Sequence, residues 1–169
     1  MRRLLLLGTL GLASCVMPLW RVPPRVPQSE SMANPPQSEA AIASVELTRP
    51  GCLGPCPVYQ FTVNADRPAR FDGLCFTPLL GSYEAPLDTA TFSRVARLLL
   101  KSDYFRSDTL LGFMNDVPMA VIAVTLTDGR RRTVWYGPTH WALAGRIELV
   151  MSVLPWRYVA PVRLQACAT

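Results

Sequence analysis

Apolar and polar positions alternate with a period of two in several short stretches of the chain, and this pattern predicts strands. Val45 and Leu47 alternate with Glu46 and Thr48 until Pro50-Gly51 breaks the run. From Val58 to Val63, Tyr59, Phe61 and Val63 fall on one face and Gln60 and Thr62 on the other. Asp66-Arg67-Pro68 turns the chain into Ala69–Asp72, with Phe71 pointing inward, so an antiparallel meander is expected. The period then changes. Phe92, Val95, Ala96 and Leu99 recur at i, i+3, i+4 and i+7, one face of a helix that Asp88 or Thr89 can cap. Tyr104 and Phe105 are expected to tuck under its end, and 106–118 reads as loop. Met119–Thr127 is apolar on both alternating faces, as in a central strand covered on both sides. Asp128-Gly129 is a hairpin turn leading into Arg131–Tyr136. A second helix is expected around Trp141–Leu154, with Leu143, Ile147, Val150 and Leu154 on its stripe and Pro155 stopping it. The following Trp156 has a large ring to bury. The expected fold class is α+β: an antiparallel sheet in the order β-β-β-α-β-β-α with two helices packed on it.

The N-terminus follows a different pattern. Arg2-Arg3 precedes the apolar run Leu4–Leu12, which ends in Leu12-Ala13-Ser14-Cys15. A basic start, a short apolar run and a small-residue cleavage site describe an export signal, and the run falls short of the roughly 20 residues needed to span a bilayer. With cysteine at its end, the segment resembles a bacterial lipoprotein signal peptide. That resemblance implies removal of 1–14 and acylation of Cys15, which would leave about 155 residues, a single-domain length. Residues 15–43 then read as the acylated cysteine plus a tether rich in proline (Pro18, Pro23, Pro24, Pro27, Pro35, Pro36), with residues 44–169 as one α+β domain. Val16, not aspartate, follows Cys15; by analogy with enteric sorting, this points to the outer membrane, facing the periplasm. The expected membrane contact is the N-terminal lipid.

Charge adds less. The net charge is +5, and Lys101 is the only lysine. The basic residues are scattered except for Arg130-Arg131-Arg132, which after Asp128-Gly129 reads as a solvated turn and edge-strand start. The competing reading is contact with anionic lipid or a polyanion. Without interleaved aromatics the triplet does not point to nucleic acid, and none is expected as a partner.

The sharpest motif is Cys52-Leu53-Gly54-Pro55-Cys56-Pro57-Val58-Tyr59, between the first two expected strands. Here the sequence resembles a family of bacterial domains of unknown function, often found in lipoproteins, with a signature of roughly Cys-x-Gly-x-Cys-Pro-x-Tyr. The resemblance covers about residues 44–157 and includes Asp116-Val117-Pro118 and the closing Trp156. It brings no established activity. Three readings of the motif stand. Gly54-Pro55 can fold the backbone tightly enough for a Cys52–Cys56 disulfide, in keeping with an oxidising compartment. A redox pair would need a thiolate stabilised by a helix N-terminus or a cation, and the nearest cation in sequence is Arg49. A soft-metal site for Cu(I) would add His140, the sole histidine, in a pattern similar to that of Sco copper chaperones. Cys75 and Cys167 could form a second bridge, tying the C-terminal tail to the sheet.

No Gly-x-Ser-x-Gly, phosphate-cradling glycine loop or metal-ligand spacing accompanies these residues. Asp116 before Val117-Pro118 reads as a turn former. The expectation is a lipid-anchored, non-enzymatic binding or envelope-structure module without a cofactor. Its partner would be an envelope protein, the cell wall or a small ligand. The alternative is thiol-based redox or Cu(I) handling through Cys52 and Cys56, with His140.

Overall fold

The structure is a computed structural model, described here for residues 32, 34–112 and 116–162. The leader, Cys15, most of the proline-rich segment and Cys167 lie outside the described residues.

Eight strands form a single sheet. The chain runs β1 (Ile42–Arg49), β2 (Val58–Asn64), β3 (Ala69–Cys75), β4 (Gly81–Ala85), α1 (Thr89–Leu100), β5 (Leu110–Leu111), β6 (Ala120–Leu126), β7 (Arg131–Tyr136), α2 (Ala142–Ser152) and β8 (Arg157–Ala160). Across the sheet the order is β5-β7-β6-β1-β2-β3-β4-β8. Every pairing is antiparallel except that of the two-residue β5 with β7. The α+β class and the antiparallel sheet with two helices agree with expectation; the element order does not. Ser82 and Glu84 gave β4 no apolar run to detect, and its strand character comes from pairing with β3 (Phe71↔Tyr83, Asp72↔Ser82). Likewise β5 falls in the stretch read as loop, and β8 is an edge strand with Tyr158 and Val159 exposed.

Register follows from which side chains must be buried. Val45 and Leu47 of β1 face Val63 and Phe61 of β2 on one side and Val124 and Ile122 of β6 on the other. The helices cover this face: Phe92, Val95, Ala96 and Leu99 of α1 and Ala144, Ile147, Val150 and Met151 of α2 join Ile42, Val45, Leu47, Ile122, Val124 and Val134 in the core. Asp88 is the N-cap of α1, accepting from the Thr91 amide at 2.6 Å, and this holds its carboxyl below the usual range. Tyr104 and Phe105 tuck under the end of α1, both 5 % exposed or less. Toward β8 the core becomes aromatic, with Trp156 lying 5.8 Å from Phe61 and 5.9 Å from Phe71 between ring centroids.

On the reverse of β6, Ala123 is buried and Val121 half-buried, so the expected cover on both sides is met in part, though neither belongs to the cluster packed by the helices. That reverse face is polar around the middle of the sheet: Glu46 of β1 bonds Arg131 of β7 through both oxygens at 2.9 Å.

The arginine triplet needs a correction. Only two of its members fit a solvated turn: Arg130 pairs with Asp128 at 2.7 Å and donates to the Asn34 carbonyl, and Arg131 pairs with Glu46. Arg132 takes an inward position of β7 and is 1 % exposed. Its Nε donates to the Tyr104 carbonyl at 2.9 Å and an Nη to the Ser107 carbonyl. Tyr104 in turn donates its hydroxyl to the Arg132 carbonyl at 2.7 Å. The loop after α1 is thus locked onto β7 by one buried guanidinium.

Candidate functional site

The loop between β1 and β2 carries the cysteine motif and forms one rim of a cleft. Gly54 sits at φ +131°, a conformation that favours glycine, and its carbonyl accepts from the Cys56 amide at 2.9 Å. The chain doubles back tightly enough to bring the Cα atoms of Cys52 and Cys56 to 5.8 Å, and the two are disulfide-bonded. Closing so short a loop stabilises by about 2 kcal/mol on chain-entropy grounds. Of the three readings of the motif, the staple is the one this geometry displays. The pair leads into strand β2, not into a helix whose N-terminus could stabilise a thiolate. His140 is not brought into a cluster with the cysteines. It closes the 3-10 turn Pro138–His140, with Nδ1 2.9 Å from Thr139 Oγ1. Among the described residues no three His, Cys, Asp or Glu side chains converge as metal ligands. Cys75, at the end of β3, is also disulfide-bonded, while Cys167, its expected partner, lies outside the described residues.

Pro50 and Pro57 flank the stapled loop, and both line a cleft of about 360 Å³ together with Arg49, Tyr59, Pro118, Met119 and Trp141. Leu53, at the tip of the loop, is 78 % exposed. The cleft joins three segments distant in sequence: the end of β1 with the start of β2, the approach to β6, and the turn before α2. Arg49 and Tyr59 are direct cross-strand partners. From α2, Glu148 reaches both. Its carboxylate accepts from Arg49 Nε at 2.7 Å and Nη2 at 3.1 Å, and from the Tyr59 hydroxyl at 2.7 Å. The Arg49 guanidinium also lies 4.4 Å from the centroid of the Trp141 ring, whose Nε1 is held by the Tyr136 carbonyl.

The Arg49 and Glu148 side chains are 12 % and 23 % exposed, so the pair is largely withdrawn from water. A two-pronged arginine–carboxylate bond in such surroundings is well satisfied. Burial, reinforced by donation to Glu148, pushes the Tyr59 hydroxyl well above the ordinary tyrosine range and keeps it a neutral donor. The charges at this wall cancel each other, and the remaining surface is proline, methionine and aromatic ring. Such a cleft is suited to holding an apolar group by contact.

The sequence motifs pointed to part of this wall. Pro57 and Tyr59 belong to the cysteine motif and Pro118 to Asp116-Val117-Pro118, and the fold brings them together. Asp116 itself sits in a turn at φ +59°. Arg49, Glu148 and Trp141 were not anticipated as a site. An ion pair 99 residues apart leaves no local signal.

The chain is therefore a two-layer α+β domain with a stapled loop beside an apolar cleft. Residues 43–144 match DUF6438, a domain of unknown function, and the chain belongs to that family. No curated protein and no solved structure matches it.

Proposed function

We propose that this chain is a lipid-anchored, non-enzymatic binding module of the bacterial cell envelope, and that the cleft beside the Cys52–Cys56 loop receives an uncharged apolar group of its ligand or partner. The observation that carries this reading is the neutralised wall: Arg49, Glu148 and Tyr59 satisfy one another, while Pro50, Pro57, Pro118, Met119 and Trp141 face the opening. An incoming charge would lose its water and meet no unpaired counter-charge. The exposed Leu53 extends the apolar surface beyond the cleft. The anchor reading rests on Arg2-Arg3, the apolar run and Leu12-Ala13-Ser14-Cys15.

The cleft is tested by NMR with the uncharged probes indole and cyclohexanol and the charged probes benzoate and benzylamine. The Trp141 indole N–H should shift and saturate with the uncharged pair, and each charged probe should bind roughly tenfold more weakly or worse. A Trp141 signal that ignores every probe, or follows benzoate most strongly, would overturn the assignment. The anchor is tested separately. Cys15→Ser should move the protein from the detergent phase to the aqueous phase in phase partitioning; unchanged partitioning would remove the lipid from the proposal.

A further inference from the structure

The outer face of the helix layer carries a charge pattern unlike that of the rest of the molecule. On α1, Arg94, Arg97, Leu98 and Lys101 recur at i, i+3, i+4 and i+7. On the neighbouring α2, Arg146, Leu149, Val150 and Val153 have the same spacing. The two stripes border a groove of about 310 Å³ in which four cations and three aliphatic side chains meet. Among the described residues no acidic one lines it, and α1 contains none. The acid of α2, Glu148, is turned the other way and held by Arg49 and Tyr59. Two acids approach the rim: Glu39, 3.4 Å from Arg97, whose side chain stays 51 % exposed, and the N-cap Asp88, which feels the charge of Arg94. Of the apolar members, Val150 packs into the core and Leu98 is half-buried against it, while Leu149 and, beside the groove, Val153 protrude. Leu149 is 70 % exposed and Val153 73 %.

We infer that this face docks onto the surface of an anionic lipid bilayer. Four cations beside two partly engaged acids favour a negative partner, and the adjacent helices present them on one face. The protruding Leu149 and Val153 fit the boundary between headgroups and acyl chains, where an apolar stripe flanked by arginine and lysine is stabilised on both counts. The long stems of Arg94, Arg97 and Lys101 can lie along the surface while their charged ends reach phosphate. The N-terminal segment joins the domain at this layer, where the 3-10 turn Glu39–Ala41 ion-pairs with α1 through Glu39. This docking is independent of the cleft and of acylation at Cys15.

The test is co-sedimentation of the full chain bearing Cys15→Ser with vesicles of phosphatidylcholine alone or mixed with phosphatidylglycerol. Affinity of the N-terminal segment for acyl chains appears with both vesicles, and its Arg2, Arg3, Arg21 and Arg25 also gain from phosphatidylglycerol, so the part of that gain lost in a helix-face variant isolates the charged face. That gain should be large at low salt and shrink at high salt. The triple variant Arg94→Gln/Arg97→Gln/Arg146→Gln should lose that part of it, with affinity falling on the order of a hundredfold, about fivefold per cation. Arg70→Gln, on an exposed side chain of β3, should retain it. All four positions are solvent-exposed, so unchanged melting curves serve as the folding control. Equal binding to the two vesicle types, or a triple variant that binds phosphatidylglycerol vesicles like the parent, would overturn the inference. So would a triple variant that loses only an acidic protein partner in cells.

Discussion

Replacing Arg132 by methionine is expected to destabilise the fold by about 3 kcal/mol, whereas the same change at the adjacent Arg131 should cost less than about 1 kcal/mol. The difference lies in what each guanidinium leaves behind. Without Arg132 the half-buried Ser107 carbonyl loses its donor, and the buried Tyr104 carbonyl keeps only the Ser107 hydroxyl at 3.3 Å. Each stranded acceptor costs roughly 1–3 kcal/mol. Part of that is offset, because burying a charge is itself unfavourable and Arg132 Nη1 finds no partner among the described residues. Methionine fills the stem's volume, so the loss reports the hydrogen bonds and not a cavity. Arg132→Lys should do little better, since one ammonium cannot reproduce a fork directed at two carbonyls. Arg131 lies across the polar face, half exposed, and its bond to Glu46 is open to water. Urea unfolding of the three variants checks this. Arg132→Met within 1 kcal/mol of the parent, or equal losses at 131 and 132, would show that the buried fork does not hold the loop.

This pair of arginines also marks where the sequence stops being informative. Three consecutive arginines after a turn look alike in one dimension, and only strand alternation, anchored by Val134 and Tyr136, places Arg132 inside. Elements carried by their own periodicity were legible. The α1 stripe, the Asp88 cap and the alternation in β1 each reflect what the chain encodes locally, as does the apolar run of β6. Elements that exist only through partners were not. β4 depends on β3 for its pairing, and β8 on β4. The same division runs through the candidate site. The Cys52–Cys56 loop lies within five consecutive residues and could be foreseen as one of three readings. The Arg49–Glu148 pair depends on α2 crossing the end of β1, a tertiary fact with no local trace.

The partners of Arg49 also explain why a basic residue in a cleft does not make an anion site here. Its two-pronged bond to Glu148 and the ring of Trp141 occupy the guanidinium on its edge and its face. An anion entering the cleft would have to compete with a carboxylate already desolvated and in place, a contest that favours the resident pair. Arg94, Arg97, Lys101 and Arg146 gather instead on the helix face, so the apolar cleft and the cationic face inferred above can be occupied independently.

Alkaline pH should unfold this domain cooperatively, beginning near pH 10, through its buried tyrosines. In an unfolded chain a tyrosine loses its proton at about pH 10. In the fold, burial pushes Tyr136 up to about 12, despite the opposing pull of Arg132. Burial raises Tyr104 and Tyr59 further still. Above pH 10 the folded state therefore retains protons that the unfolded chain releases. The stabilisation is fully present below pH 10 and is lost as pH rises toward the folded values. For Tyr136 alone, 5 % exposed, the loss amounts to about 2 kcal/mol by pH 12, a sizeable share of an ordinary domain's stability. Tyr104 adds to the steepness: as a phenolate, its oxygen would face the Arg132 carbonyl it now donates to, in a site 1 % exposed. In a chain carrying Tyr83→Phe and Tyr158→Phe, which removes the tyrosines outside the core, phenolate absorbance and far-ultraviolet circular dichroism, followed together from neutral pH upward, should change in a single coincident step. Tyr136→Phe removes one of the three protons and should move that step to higher pH. A gradual phenolate signal that runs ahead of the loss of ellipticity, or a stability that stays level from pH 10 to 12, would mean that these hydroxyls ionise within the intact fold.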